Sequence, residues 1–110
     1  IAERAAWEHA LQTGWYAPPS LAREGFLHAS TAAQLPGSAR RHYGQAPELL
    51  VLVIVDRRVK AQLRWEPAPS RPAEGPFPHI YGKMGVDAVE DVAIISRGPD
   101  GSFDFSALLA

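Results

Sequence analysis

The sequence Leu-Leu-Val-Leu-Val-Ile-Val at residues 49–55 is the longest continuous apolar run in the chain. A run of this kind, with β-branched residues towards its end, is typical of a strand that other elements cover on both faces. It is much too short to cross a membrane as a helix, which needs about twenty apolar residues. We therefore expect residues 49–55 to form the central strand of a sheet, and we expect no membrane-spanning segment.

Helical patterns are concentrated in the N-terminal half of the chain. Residues 3–12 contain good helix formers, place Trp7 on an apolar face and precede Gly14, which can end a helix in the left-handed conformation. Ser20 is a candidate N-cap for a short helical turn that ends at Gly25. These patterns predict an amphipathic first helix with Trp7 in the core, followed by a second, shorter helix.

A third helical segment is expected after these two. Ser30 and Thr31 are candidate N-caps for a helix that begins at Ala32, and Pro36 is expected to interrupt that helix. Strands are predicted at residues 26–28, 49–55, 80–81 and 89–95, with an apolar–polar alternation at 63–66, an extended proline-rich loop at 67–78 and a terminal strand or extended tail at 103–105. Helices that precede most of the strands indicate an α+β fold.

The composition is that of a small globular protein. At 110 residues, with 46% hydrophobic and 21% charged residues, the chain fits a single domain, residues 1–110, built on one core. The absence of cysteine excludes disulfides, thiolate nucleophiles and cysteine-bound metals. The formal net charge of -1 and the scattered arginines argue against nucleic acid as the main partner. We expect a cytoplasmic location.

The most informative stretch is Gly-Phe-Leu-His-Ala-Ser-Thr at residues 25–31. If it is extended, Phe26, His28 and Ser30 project to one side, because side chains alternate along a strand. An aromatic ring, an imidazole and a hydroxyl on one surface could stack on a planar group and hydrogen-bond a ribose. The alternative is a strand that ends in a helix cap, with Ser30 or Thr31 as the cap and His28 bonded to a backbone carbonyl.

The sequence Phe-Pro-His-Ile-Tyr-Gly at residues 77–82 has a similar pattern, because Phe77, His79 and Tyr81 share one face of an extended chain. Two such faces brought together form a cleft suited to a planar, hydroxylated ligand such as a nucleotide. We therefore predict that His28 and His79 lie on neighbouring walls of one cleft. The alternative is a pair of edge strands with amphipathic residues at a hydrated rim.

Other chemistries have little support in the sequence. The four histidines share no HxH or HxxxH spacing, so no metal site is predicted. The chain contains no GxSxG nucleophile elbow, no GxGxxG fingerprint and no Walker loop. Glu66 either supplies a carboxylate to the cleft or is a solvated residue at a strand end. Arg40 and Arg41 either touch an anionic ligand or belong to an exposed helix face.

Three motifs together resemble a known protein family. Gly-Phe-Leu-His-Ala-Ser-Thr-Ala-Ala-Gln-Leu at residues 25–35, Leu-Arg-Trp-Glu at 63–66 and Phe-Pro-His-Ile-Tyr-Gly at 77–82 are similar to motifs of DUF952, a small bacterial family of unknown function. The resemblance extends from about residue 6 to residue 95. It implies an ADP-ribosyltransferase-like fold, with a split or curved, mostly antiparallel sheet, two or three N-terminal helices and a cleft that holds NAD in the enzymes.

The resemblance also implies roles for individual residues. His28, with Ser30 and Thr31, corresponds to the second-strand element of NAD-using relatives. In NAD-using relatives a late strand often supplies a catalytic glutamate. Here the corresponding residues, 77–82, include His79 and Tyr81 but lack the glutamate of the protein-modifying toxins. The pattern is more similar to the two-histidine branch that includes the RNA 2'-phosphotransferases.

Two functions follow as alternatives. The first is an enzyme, a transferase or glycohydrolase, that binds NAD or a related nucleotide and acts on its ADP-ribose, with His28 and His79 as the catalytic residues. Its expected nucleotide-binding residues are Phe26, Ser30, Thr31 and Tyr81. The first-strand residue of such enzymes would lie at or before Ile1. The second function is that of a non-catalytic ligand-binding or protein-interaction module that retains the fold without the chemistry.

Overall fold

The chain folds into short elements, which a computed structural model describes for residues 1–109. In order, these elements are α1 (Arg4–Thr13), β1 (Trp15–Tyr16), α2 (Pro19–Glu24), β2 (Leu27–His28), α3 (Leu35–His42), β3 (Glu48–Ile54), β4 (Gln62–Pro67), β5 (Pro76–Tyr81), β6 (Met84–Gly85), β7 (Val89–Ser96) and α4 (Ser106–Leu109). Short 3₁₀ turns lie at Asp56–Arg58, Pro72–Glu74 and Val86–Ala88.

The strands form three small sheets, in which every pairing of named strands is antiparallel. β5 is the middle strand of a three-stranded sheet, with β2 on one side and β4 on the other. β3 pairs with β7, and β1 pairs with β6. The prediction of an α+β fold with mostly antiparallel strands and helices in the N-terminal half is therefore confirmed.

β3 lies between two hydrophobic clusters. Leu50 and Leu52 pack in the cluster that contains the first helix, whereas Leu49 and Val51 pack in or against the cluster that contains α3. β7 pairs with one edge of β3, and on the other edge the backbone N–H of Ala2 donates to the carbonyl of Leu50 at 2.7 Å. β3 is covered on both faces as predicted, although its own sheet has only two named strands.

The two halves of β3 differ in burial. Residues 49–51 are buried, whereas residues 52–54 are only half-buried. The second half is more exposed because it lines a large groove between β3 and the three-stranded sheet. The apolar run therefore has two uses: its beginning forms the core, and its end forms the wall of a groove.

The first helix matches its sequence pattern. α1 ends at Gly14, whose φ of 87° is left-handed and whose N–H donates to the carbonyl of Ala10. Trp7 is 8% exposed and packs against Tyr16, with 6.3 Å between the ring centroids. The predictions of a helix ending before Gly14 and of Trp7 in the core are confirmed.

The starts of the second and third helices differ from the predictions. α2 begins at Pro19, and Ser20 makes no N-capping hydrogen bond. α3 begins at Leu35, so Pro36 lies in its first turn and does not interrupt a helix that begins at Ala32. The physical reason is the same for both prolines: the first turn of a helix has no internal acceptor for its N–H groups, so a proline there loses no hydrogen bond.

The proline-rich loop is shorter than predicted, because β5 already begins at Pro76. Pro78 also lies within this middle strand, opposite Trp65 of β4. The N–H of Ala29 donates to the carbonyl of Pro78 at 3.1 Å, so the polar backbone groups of Pro78 face the β2 side. Pro78 has no N–H to donate towards the β2 side, but β2 already ends at His28, so no hydrogen bond of that strand is lost. The hydrogen bonds between β5 and β4 do not involve the nitrogen of Pro78 and remain intact.

The chain after β7 returns to the core through Arg97. The Arg97 guanidinium lies 4.4 Å from the centroid of the Phe103 ring and donates to the carbonyls of Tyr43, Gly44, Ala46 and Gly101. Phe103 forms a single bridge with Arg97, and Phe105 is buried. The sequence predicted either a terminal strand or an extended tail at residues 103–105. The structure shows an extended tail that Arg97 holds in place.

Within residues 1–109, no helix has both the length and the apolar character needed to span a bilayer.

The difference in burial along β3 makes a prediction about stability. Val51 is 5% exposed, so Val51→Ala is expected to lower the free energy of unfolding by about 2–3 kcal/mol, through lost apolar burial and the cavity left behind. Val53 lies on the same face but is half-buried, and Val53→Ala is expected to cost about 1 kcal/mol. Urea denaturation followed by tryptophan fluorescence measures the free energy of unfolding of both variants. Equal losses of this free energy would contradict the assignment of Val53 to the wall of the groove.

Candidate functional site

The two predicted site histidines lie opposite each other on neighbouring strands. His28 of β2 pairs with His79 of β5, and the imidazole centroids are 5.3 Å apart in an edge-to-face arrangement. Both side chains occupy the same face of the three-stranded sheet, because directly opposite residues in an antiparallel pair point the same way. The histidines were predicted to lie on neighbouring walls of one cleft; the structure brings them together on two neighbouring strands of one sheet face.

Phe26 lies at the centre of this wall. Its ring stacks on the His79 imidazole with 4.1 Å between centroids and an interplanar angle of 25°. It also contacts His28 at 4.8 Å and Tyr81 at 5.2 Å. The four rings form one cluster, which we call the ring cluster. The prediction that these aromatic and imidazole groups come together is confirmed, and Phe26 supports the histidines in addition to any role in stacking a ligand.

Glu66 connects two members of the ring cluster. Its Oε1 accepts hydrogen bonds from Tyr81 Oη at 2.5 Å and from His79 Nδ1 at 2.9 Å. The alternation along β4 places Glu66 on the same sheet face as His79, opposite Phe77. Of the two interpretations of Glu66 left open by the sequence, the structure supports the one in which its carboxylate joins the histidine site.

The hydrogen bonds of Glu66 shift two pKa values in opposite directions. The bond from Tyr81, and then the bond from His79, lower the pKa of the Glu66 carboxyl. The same bond to Glu66 is the main cause that raises the pKa of the Tyr81 hydroxyl. Glu66 is therefore a carboxylate and Tyr81 a neutral donor at neutral pH.

The ionised state of Glu66 determines the orientation of His79. A carboxylate only accepts hydrogen bonds, so Nδ1 of His79 carries the proton and the neutral imidazole has its lone pair on Nε2. Among residues 1–109, no side chain bonds to this Nε2, and no polar side-chain atom is both fully buried and unpartnered. His79 lines the groove, and its side chain is 12% exposed.

His28 has a carboxylate partner of its own. Its Nε2 lies 2.8 Å from Oε2 of Glu24, at the end of α2, and both side chains are about half exposed. Sequence reasoning missed Glu24, although its position four residues before His28 is a usable signal once the intervening Gly25 is known to turn the chain; Gly25 has a left-handed φ of 84°. The site thus contains two adjacent histidine–glutamate pairs.

The predicted hydroxyl groups are used within the fold. Ser30 Oγ lies 3.0 Å from Ser38 Oγ on α3. Thr31 and Gln34 bond reciprocally, the N–H of Thr31 donating to Gln34 Oε1 at 3.0 Å and the N–H of Gln34 to Thr31 Oγ1 at 3.2 Å. Ser30 and Thr31 line the groove, but their hydroxyls also fix the turn that leads into α3.

The groove beside the ring cluster has a volume of about 1110 Å³ and runs between the three-stranded sheet, α3 and the second half of β3. Phe26, His28 and His79 line it, whereas Glu66 and Tyr81 do not. Glu66 adjoins the groove through its bond to His79, and Tyr81, which was predicted to bind the ligand directly, adjoins it through its contact with Phe26. The volume is sufficient for a ligand the size of a nucleotide.

Both basic and acidic side chains line the groove. The basic ones are Arg23, His42, Arg57 and Arg71, and the acidic ones are Glu3, Glu24, Asp56 and Glu90. Burial, followed by the charges of Arg71 and Arg41, lowers the pKa of the His42 imidazole. Arg71 and Arg41 are both paired with Glu74, at 2.9 and 2.6 Å, so their charge is partly neutralised. Arg40 and Arg41 are exposed on α3, in agreement with the interpretation that they belong to an exposed helix face.

Within residues 1–109, no group of three or more histidine or acidic side chains has an arrangement that could hold a metal ion.

Comparisons with known proteins place the chain near uncharacterised relatives. The model of the family described as "Protein of unknown function (DUF952)" matches residues 1–92. The crystal structure of protein CC0527 from Caulobacter crescentus is 27% identical in sequence, with a TM-score of 0.81 over 97% of this chain and 92% of that one. A double mutant of the same protein has a TM-score of 0.80, at the same identity and coverage. No curated protein matches the sequence.

The bond between Tyr81 and Glu66 makes a prediction about titration. A tyrosine with a raised pKa contributes stability that is present below its ordinary value of about 10 and is lost as the pH rises through the raised value. Glu66→Gln removes the charge that raises the pKa of Tyr81, so one tyrosine should ionise at lower pH than in the native protein. Ultraviolet difference absorbance against pH measures this change.

The matched control is Glu24→Gln, which removes a carboxylate from His28 and leaves the Tyr81 bond in place. Tyr16 and Tyr43, whose pKa values are raised mainly by burial, should titrate alike in all three proteins. If Glu66→Gln and Glu24→Gln give the same tyrosine titration, the bond between Glu66 and Tyr81 does not exist in solution.

Proposed function

The chain belongs to the DUF952 family of proteins of unknown function, and we propose that it is an ADP-ribosyltransferase-like domain that binds NAD or a related nucleotide in the groove and acts on its ADP-ribose. The observation that carries this proposal is the hydrogen-bonded series Tyr81–Glu66–His79 beside the groove, in which Glu66 accepts from Nδ1 of His79 and leaves the lone pair of the neutral imidazole on Nε2. A histidine oriented by a carboxylate is the usual arrangement of a general base.

The shape and charge of the groove support a nucleotide as the ligand. A planar base or nicotinamide can stack near Phe26, which is half-buried on the groove wall. Arg23, which lines the groove, is suited to phosphate oxygens. The division of the strands into small antiparallel sheets, with the groove between them, is in keeping with the split sheet of the ADP-ribosyltransferase fold.

The proposed chemistry is cleavage of the bond between nicotinamide and ribose. The oxygen of a water molecule or of an acceptor hydroxyl bonds to C1' of the ribose, and its proton passes to Nε2 of His79. The bond from C1' to the nicotinamide nitrogen breaks, and its electron pair leaves with the ring, which departs uncharged. Glu66 stabilises the imidazolium that forms, and His28 lies close enough to hold a ribose hydroxyl or phosphate.

A second candidate function is supported by a different observation. The hydroxyls of Ser30 and Thr31 and Nε2 of His28 are already engaged by Ser38, Gln34 and Glu24. A site whose polar groups are mostly satisfied internally is suited to a module that binds a ligand or protein without transforming it. Cleavage of the bound nucleotide, measured directly, distinguishes the two functions.

The binding prediction concerns His28, His79 and Arg40. His28→Ala and His79→Ala are each expected to weaken binding of NAD or ADP-ribose about 10- to 100-fold, because each removes a hydrogen bond to a charged or buried partner. Arg40→Ala is the matched control and should change affinity about twofold at most, since Arg40 is exposed. Isothermal titration calorimetry gives the dissociation constants. If the native protein binds no nucleotide at millimolar concentration, the proposal is wrong.

The turnover prediction separates enzyme from binding module. With NAD as substrate, release of nicotinamide is expected to fall about 10²- to 10⁴-fold in His79→Ala, the loss typical for a general base. Glu66→Gln should lower kcat about 10- to 100-fold and shift the pH profile, with little change in KM, because Glu66 does not line the groove. Nucleotide binding without any nicotinamide release by the native protein would establish the non-catalytic module.

A further inference from the structure

A second concave site lies apart from the groove and shares none of its lining residues. It has a volume of about 200 Å³ and is formed where β1, the β5–β6 turn and the segment after β3 meet. The side chains that matter for its chemistry are Trp15, Arg58, Lys60, Lys83 and Asp87. The functions proposed above make no use of this pocket.

The charge of the pocket is opposite to that of the chain. Arg58, Lys60 and Lys83 face a single carboxylate, Asp87, whereas the chain as a whole has a formal net charge of -1. Both lysines of the sequence lie here. The ion pairs formed among residues 1–109 include none of these three cations. The pocket therefore has a positive charge that the protein itself leaves uncompensated.

An indole ring forms part of the pocket wall. Trp15 is 41% exposed, and the Nζ of Lys83 lies 4.4 Å from the centroid of its ring, a cation–π contact. Trp15 pairs with Gly85 across the β1–β6 ladder. A Cβ at Gly85 would lie 2.5 Å from Asp87 Oδ1, so the glycine is what allows Asp87 to approach the backbone here. The ring and the carboxylate thus lie beside the three cations.

We propose that this pocket binds a small phosphorylated ring compound, with the phosphate between the three cations and the ring of the ligand against Trp15. Cations attract the phosphate oxygens, and an exposed indole gains apolar contact when a sugar or base covers it. The carboxylate of Asp87 repels inorganic phosphate but can accept a hydrogen bond from a ligand hydroxyl. A sugar phosphate or nucleoside monophosphate, which has both groups, is therefore favoured over inorganic phosphate. The pocket volume admits one such unit.

The three tryptophans provide a direct test. Trp15 lines the pocket, Trp65 lines the groove and Trp7 is in the core. The indole N–H signals in a two-dimensional NMR spectrum, assigned with single Trp→Phe variants, are followed during titration with AMP, ribose 5-phosphate, inorganic phosphate and adenosine. We expect the Trp15 signal to move with AMP and ribose 5-phosphate, less with inorganic phosphate, and not with adenosine at the same concentration.

Charge variants test the role of the cations. Lys83→Met keeps the length of the side chain and removes its charge, and it should weaken binding of ribose 5-phosphate at Trp15 about tenfold. Arg40→Met makes the same change of charge on exposed α3 and should have no measurable effect. Raising the salt concentration should weaken binding in the native protein, because these charges are near solvent.

Three outcomes would overturn the proposal: a Trp15 signal that no phosphate compound moves, equal affinities in Lys83→Met and Arg40→Met, or a response to adenosine as large as the response to AMP. The result is independent of the groove. If AMP moves Trp15 and calorimetry detects no nucleotide binding that depends on His28 or His79, the pocket binds phosphate compounds and the proposed function of the groove fails. If calorimetry detects such binding and no phosphate compound moves Trp15, the proposed function stands and the pocket proposal fails.

Discussion

The fold depends on a strand that is apolar on both faces. Because Leu49 and Val51 point to one side of β3 and Leu50 points to the other, the strand is stable only if separate layers cover it on each side. α1 and the three-stranded sheet supply one layer, and α3 with the chain after β7 supplies the other. Over the second half of β3 the cover is less complete, since residues 52–54 are half-buried and line the groove.

Strand alternation then determines which side chains form the ring cluster. In β5, Ile80 is buried in the core, so His79 and Tyr81 must occupy the opposite face. In β2, the burial of Leu27 has the same consequence for His28. The ring cluster is therefore a result of core packing: a shift of one residue in either strand would bury an imidazole and expose an apolar side chain.

Much of the fold and part of the candidate site could be predicted, because their signals are local. The 3.6-residue period places Trp7, the apolar run marks β3, and the two-residue period groups Phe26 with His28 and His79 with Tyr81. What could not be predicted depends on pairing between distant segments. One such feature is the register of β2 and β5, which sets His28 opposite His79. Another is the register of β4 and β5, which brings Glu66 to His79. Neither register has a signal in the local sequence. Pro36 was misjudged because a proline both starts and breaks helices.

The hydrogen bonds of Glu66 also limit what pH can change in the groove. Glu66 loses its charge only below the ordinary range of a carboxyl, because its pKa is lowered, and Tyr81 loses its proton only above the ordinary range of a phenol, because its pKa is raised. Between these limits both bonds persist, so the orientation of His79 is constant from weakly acidic to weakly alkaline solution. A change of ligand affinity or turnover in that range therefore does not arise from a change of charge on Glu66 or Tyr81.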